Sequence, residues 1–401
     1  MYEKVFELIE SRKDQLISDA SELIGVPSVN PGQFEKEAAA AFAAQLKRDG
    51  INHEIVGPEP LRLSVLADLN GDAEGGVLFN GHLDVVPTGD EAKWTSPPFK
   101  AEVRDGRLYG RGSTDMKGAV NAFMHAMVAV RDAGVPLKKG VWLHAVADEE
   151  CGGRMGTAWI ADTGRLPPAD MGIVGECSTY EGEVGIVRAC TGIVQLKFES
   201  RGKASHAARP HEGNNAVINM CRVMIALQDK YERDTTVYDE LLPPNTISPA
   251  TTIKGGVKTN VIPDYCEAEV DIRVVPNMTP ENVRAKIDKI IADVKAEHPE
   301  VDVTYTMGHW DPETLVPADA PVIKEAEKAV EKVMGYKPKH MKRSGTTDAR
   351  FLNPKGIPSP VAFGPGDVVL GKMHDVDESV GVQDLINWSK IYAAMIISVC
   401  S

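Results

Sequence analysis

The chain has 401 residues, 43% of them hydrophobic, and a formal net charge of −14. At roughly 100–200 residues per domain this is enough for two domains with real cores. The acidic balance opposes nucleic acid and anionic membrane as partners, since both need basic surface.

The first 24 residues alternate charge with Val5, Leu8, Ile9, Leu16 and Ile17, the pattern of an amphipathic helix rather than a signal peptide. No run is long enough to cross a bilayer. The six cysteines are scattered, with no CxxC pair. That points to reduced thiols in a cytoplasmic protein. Glu35 to Arg48 reads as a second helix. Short apolar runs follow at Leu61–Asp68, Gly76–Phe79, Val141–Ala147 and Met171–Gly175, with a helical period over Met116–Arg131. Strands alternating with helices predict an α/β sheet covered on both faces.

Around Gly185 the texture changes. Val187–Ser200 reads as a strand, Asn214–Tyr231 as a helix, Ala250–Lys254 and Tyr265–Val275 as strands, Pro280–Glu297 as a helix and Val301–Met307 as a strand. This order predicts a split βαβ, ferredoxin-like layer. After Pro321 the helix–strand alternation returns, ending in a helix over Val382–Cys400. The expectation is an α/β domain over residues 1–184 and 309–401, with a smaller domain inserted at 185–308.

Five segments carry chemistry: LFNGHLDVVP, LYGRGSTDMKGAV, VWLHAVADEECGG, IVGECS and KMHDVDESV. In open α/β sheets, ligands bind beyond the carboxyl ends of strands. His82, Glu149, Glu150 and Glu176 all follow apolar runs and can converge there. Several carboxylates in one crevice repel one another, and a divalent cation removes that penalty. Imidazole and carboxylate together suit zinc, with cobalt or manganese as alternatives. Asp84, two residues from His82, is placed to orient that imidazole. Taken alone, Glu149–Glu150 reads as two solvated carboxylates at a strand end; the companion motifs reverse that reading. Isolated histidines (His53, His125, His144, His298, His309, His340) read as packed or surface residues. Cys151 and Cys177 read as small buried residues. No phosphate loop and no GxSxG element is present.

HLDVVP, GRGSTDMKG, ADEECGG, GECS and MHDVDES, in that order, resemble the metal-site motifs of the acetylornithine deacetylase, succinyl-diaminopimelate desuccinylase, aminoacylase and carboxypeptidase G family. The resemblance spans nearly the whole chain. It implies two zinc ions per subunit, with Co2+ or Mn2+ as substitutes. Asp115 would bridge them, His82 and Glu176 completing one site, Glu150 and His374 the other. Glu149 would be the general base, and a cis peptide is expected at Asp115–Met116. RGKASHAARPHEG resembles the segment whose histidine, here His206, reaches the partner subunit's site to stabilise an oxyanion. TNVIPD resembles the loop whose asparagine, Asn260, serves the same site. Arg273 matches the arginine that pairs with a substrate carboxylate. RSGTTDARF resembles a Gly-Thr-Ser-Asp loop, with Gly345, Thr346 and Thr347 as donors; Thr347 replaces the usual serine, and Cys177 stands where proline is common.

The resemblance implies a homodimeric amidohydrolase whose inserted domain serves as lid and dimerisation element. Glutamate at position 176 favours deacylation of an N-acyl amino acid over peptide cleavage. A dipeptidase or carboxypeptidase on the same residues is the alternative, and a catalytically silent metabolite-binding homologue the third reading.

Overall fold

The computed structural model describes residues 1–401 and divides into two compact units. One comprises Met1–Ala189, Thr314–Arg343 and Thr347–Ser401; the other comprises Cys190–Glu313 with Ser344–Thr346.

The larger unit is mixed α/β. Its main sheet has five strands in the order Asn52–Glu59, Arg62–Leu69, Gly140–Val146, Gly76–His82 and Met171–Val174. The first two pairings are antiparallel, the last two parallel. Gly76–His82 and Gly140–Val146 are buried at every position. That is the behaviour of central parallel strands covered on both faces, and it explains their unbroken apolar texture. The parallel pairings bring the carboxyl ends of three strands to one edge. His82 closes one of them, Glu149 and Glu150 follow the second, and Glu176 follows the third.

Against this sheet lie the helices Lys117–Asp132, buried from Lys117 to Val130, and Val382–Cys400. Phe123 packs its ring 4.8 Å from Phe79 and 4.3 Å from Tyr392. Such pairs add about 0.5–1.5 kcal/mol each beyond their buried area. They pin the helix that starts just after Asp115 to the strand that ends at His82. Gly175 shows how close this packing is: a Cβ there would lie 2.4 Å from the Phe123 ring, so only glycine fits before Glu176. A short strand, Ser379–Gly381, pairs antiparallel with Arg107–Tyr109 and sets the loop carrying His374 beside the loop leading to Asp115.

The smaller unit is a four-stranded antiparallel sheet in the order Thr246–Gly255, Tyr265–Val274, Gly192–Arg201 and Asp302–Asp311. The strand Gly192–Arg201 alternates strictly, with Val194, Leu196 and Phe198 buried. These pack with Met220, Val223 and Leu227 of the helix Ala216–Lys230 and with Val283, Ile287 and Ile290 of the helix Pro280–Glu297. The second helix begins with a full capping box between Thr279 and Asn282 and with Pro280 in its first turn. Strand, helix, strand, strand, helix, strand is the order read from the sequence.

Three local readings need correction. The N-terminal amphipathic segment is two helices, Tyr2–Ser11 and Lys13–Ile24, broken at Arg12. The run Val187–Ser200 is not one strand: Glu183–Cys190 belongs to a sheet of the larger unit, and Gly192–Arg201 starts the smaller one. Glu183–Cys190 is buried at every position from Val184 on, whereas Gly192–Arg201 alternates, so the change of period near Thr191 marks the break. Cys151 is exposed rather than buried, because it ends the short turn Glu149–Cys151 that projects beyond the sheet.

Candidate metal centre

His82, at the last position of its strand, is 1% exposed. Its Nδ1 lies 2.9 Å from the Asp84 carbonyl oxygen, and its Nε2 lies 2.9 Å from Asp115 Oδ1 and 3.6 Å from Glu176 Oε1. His374 Nε2 approaches the same aspartate from the other side, 3.0 Å from Oδ2, and lies 3.3 Å from Glu150 Oε2. Asp115 thus offers one oxygen to each imidazole. Donor atoms of His82, Glu149 and Glu176 lie within 4.8 Å of one another, as do those of His82, Asp115 and Glu150. The peptide bond Asp115–Met116 is cis, as expected.

Glu149 and Glu150 sit on a 3-10 turn whose preceding residue, Asp148, has φ +73°. Their backbone N–H groups both donate to the Asp84 carboxylate, at 3.1 Å each. Asp84 is fully buried and stands behind His82, so it supports one imidazole and one turn at once. His374 itself has φ +64°, and Lys372 and Asp377 of the same loop are also left-handed. Backbone of this kind is costly for non-glycine residues and collects at functional sites.

The electrostatics follow from crowding. Burial, reinforced by the negative charge of Glu176, pushes the Glu149 carboxyl well above its usual range. Burial and Asp115 raise Glu150 to about 7. Burial works against Asp115 as well, but hydrogen bonds from His374 and His82 overcome it and keep Asp115 ionised. His374 is raised to about 10 by Asp115 and Glu150. Four carboxylates therefore face two imidazoles and the guanidinium of Arg343, which donates to Glu176 Oε2 at 3.0 Å. Glu150 Oε1 is buried with no hydrogen-bond partner. An orphaned carboxylate oxygen beside a shared aspartate and two imidazoles is a donor set that a pair of divalent cations fits, and nitrogen with oxygen donors suits zinc, cobalt or manganese.

Two residues here escaped the sequence reading. Glu378 is fully buried; it accepts the backbone N–H groups of Gly112, Thr114 and Asp115 and pairs with Arg111 at 2.6 Å. It holds the Asp115 loop from beneath. Its signal was its place in MHDVDES, four residues after His374, opposite an arginine in GRG. Arg343 heads the RSGTTDARF segment, but nothing in the chain pairs it with Glu176, which is distant in sequence.

The remaining site residues belong mostly to the smaller unit. His206 pairs with Val261 in a two-residue strand contact, and Asn260 accepts the Ala207 N–H at 3.0 Å, so the two segments are neighbours. His206 is exposed, and its Nδ1 accepts the Ala208 N–H at 3.1 Å. Arg273 is held by Asp271 at 2.9 Å and donates to the Ser344 carbonyl at 3.2 Å, beside Gly345 and Thr346. Thr347 is 1% exposed and donates its hydroxyl to the Val361 carbonyl at 2.6 Å. That hydroxyl is engaged within the fold, which leaves Gly345 and Thr346 as the loop's outward groups.

The sequence matches the profile of peptidase family M20/M25/M40 over residues 78–398. It is 30% identical over 388 residues to a succinyl-diaminopimelate desuccinylase from Bradyrhizobium sp. (strain ORS 278), covering 94% of this chain and 96% of that protein. The fold is similar to that of an M20 family metallo-carboxypeptidase from Sulfolobus solfataricus, with TM-score 0.76, 19% identity and coverage of 96% and 98%. It is also similar to that of a dinuclear metal-binding M20 family peptidase from Bacillus subtilis, with TM-score 0.71, 16% identity and coverage of 97% and 98%.

Proposed function

The chain belongs to peptidase family M20/M25/M40, and from that premise we propose that it is a dizinc deacylase hydrolysing the amide bond of an N-acyl amino acid. It is a hydrolase of amide or peptide bonds; the metal, the acyl substrate and the residue roles are the proposal. The observation that carries it is the meeting of Glu149 with His82 and Glu176 within 4.8 Å, beside an aspartate shared by two histidines.

In this reading His82, Asp115 and Glu176 hold one ion, and Glu150, Asp115 and His374 the other. When bound, the ions lower the pKa of the attacking water and polarise the scissile carbonyl. Glu149 takes a proton from that water and returns it to the leaving nitrogen, a task suited to a buried carboxyl of raised pKa. Asp84 fixes the Glu149 turn and the His82 ring together. His206 donates to the oxyanion, and Arg273, with Gly345 and Thr346 of the adjacent loop, holds the substrate carboxylate. The desuccinylase relative supports acyl removal from an amino acid.

The subunit is read as a homodimer, with His206 and Asn260 serving the partner's site. The edge strand Thr246–Gly255 has one neighbour in its sheet and exposes Ile253, while the helix Ala216–Lys230 exposes Ile218 and Ile225. An unpaired edge beside apolar side chains supports pairing with a second copy. The six cysteines are free thiols, which supports a reducing, cytoplasmic setting, and no helix is long and apolar enough to cross a membrane.

The reading is tested with Glu149→Ala on N-acetyl, N-succinyl and N-formyl amino acids and dipeptides. Loss of turnover with two bound metals per chain supports it; wild-type turnover sinks the role of Glu149. Dipeptides are included because a dipeptidase or carboxypeptidase would use the same groups.

A further inference from the structure

Behind the turn that carries Glu149 and Glu150 lies a buried polar network whose Arg62 and Asn30 reach that turn through the carboxylates of Asp84 and Asp148. Arg62 is 4% exposed and Asn30 is 3% exposed. Arg62 Nη1 donates to Asn30 Oδ1 at 3.0 Å and lies 3.3 Å from Glu35 Oε1; its Nη2 pairs with Asp148 Oδ1. The guanidinium stacks 4.6 Å from the centre of the Phe34 ring, which fixes its plane. Asn30 Nδ2 donates to Asp84 Oδ2 at 2.8 Å and lies 3.3 Å from Asp148 Oδ1. One amide thus links the two carboxylates that govern the turn.

Each carboxylate has a distinct grip. Asp84 accepts the N–H groups of Glu149 and Glu150. Asp148 holds the far end, its Oδ2 accepting the Met155 N–H at 2.9 Å, while its own N–H donates to Glu35 Oε1 at 3.3 Å. Asp148 is left-handed, with φ +73°. A non-glycine residue keeps that conformation only where its surroundings over-determine it. The surroundings here are Arg62, Asn30 and Glu35. An arginine suits the task because its planar fork reaches three partners in one plane, which an ammonium cannot do.

We propose that Asn30 and Arg62 are positioning residues for the reaction: through Asp84 and Asp148 they set the aim of Glu149 and Glu150 without touching substrate or metal. This rests on the metallohydrolase reading above. The consequence is specific. Loosening the network moves the general base and one metal donor together, and leaves the groups that recognise substrate where they are. A carboxylate displaced by about 1 Å is enough to cost a large factor in rate.

The test uses the 401-residue chain loaded with zinc, as wild type, Asn30→Ala, Arg62→Met and Arg62→Lys. The expected result for Asn30→Ala is a fall in kcat of roughly 10- to 100-fold with KM within about threefold of wild type, and zinc affinity at the site that includes Glu150 reduced by roughly tenfold or more. Arg62→Lys, which keeps charge but not the fork, should fall with Arg62→Met rather than with wild type. Joined to Glu149→Asp, the Asn30→Ala loss should be much less than additive, since both act on the same carboxylate. Should Arg62→Met fail to fold, Asn30→Ala decides. Wild-type kcat and zinc affinity in folded Asn30→Ala would overturn the proposal and leave the hydrolase reading standing, as would a loss wholly accounted for by a smaller folded fraction. Folded wild-type protein that binds no zinc, cobalt or manganese would overturn the dimetal reading itself, and the proposal with it.

Discussion

Asp115 Oδ1 lies 2.9 Å from His82 Nε2, with both side chains almost wholly buried. Its second oxygen faces His374 at 3.0 Å. Because one carboxylate serves both imidazoles, its loss should differ in kind from the loss of Glu149. Asp115→Ala is expected to abolish binding of both metals and all turnover. Glu149→Ala is expected to keep both metals and lose roughly 10²–10⁴-fold in kcat, the usual contribution of a positioned acid–base group. Metal analysis beside steady-state rates separates the two. A metal-replete, active Asp115→Ala protein would refute the bridging role.

His206 is exposed in the smaller unit and is proposed to act on the partner's site. Homodimers of His206→Ala and of Glu149→Ala should each be nearly inactive. Mixed under subunit exchange, they should regain activity, because half of the sites in a heterodimer combine an intact Glu149 with an intact partner His206. If mixing restores nothing after exchange is demonstrated, His206 does not act across the dimer.

Arg273 is half-exposed and braced by Asp271 and the Ser344 carbonyl. A guanidinium held this way meets a carboxylate with little further ordering. Arg273→Ala should raise KM for amino-acid amides roughly 10- to 100-fold, in line with about 1.5–3 kcal/mol for a charged hydrogen bond. Amides lacking the carboxylate should show little change. Equal losses on both substrate types would remove Arg273 from carboxylate recognition.

His144 is buried in the central strand Gly140–Val146, and its Nδ1 has no hydrogen-bond partner. Burial lowers its pKa to about 3, so the folded protein keeps it neutral. The unfolded chain protonates it near its ordinary value of about 6.5. Between these values the unfolded state binds more protons, so this contribution to stability is present above about pH 6.5 and is lost as pH falls toward 3. Melting curves should show a loss attributable to His144 of roughly 2 kcal/mol between about pH 6.5 and 5. His144→Gln should flatten that limb; an unchanged slope would assign acid sensitivity elsewhere.

Much of this was legible in the chain because chemistry and secondary structure share the same short segments. LFNGHLDVVP is at once a buried strand and the source of His82, and VWLHAVADEECGG does the same for Glu149 and Glu150. Apolar runs bounded by glycine mark strands, and ligands follow strand ends. The smaller unit was legible from its alternating strands and proline-capped helix, Val194–Leu196–Phe198 being the plainest case. What could not be read is what only tertiary contact creates. Glu378 beneath the Asp115 loop, Arg343 against Glu176, and the Asn30–Arg62 network all join residues far apart in sequence. The division of Val187–Ser200 at Thr191 shows only as a change from an unbroken buried run to alternation, with four residues of the first strand too few to read as a period of their own.

The central claim is that this site holds two metal ions and uses them to hydrolyse an amide. Its most direct test is a zinc titration of chelator-stripped protein, with metal stoichiometry and hydrolysis of N-acyl amino acids and dipeptides read on the same samples. Two zinc ions per chain, activity that returns as they bind, and an N-acyl amino acid as the best substrate are expected. Folded protein that binds no zinc, cobalt or manganese would contradict the claim.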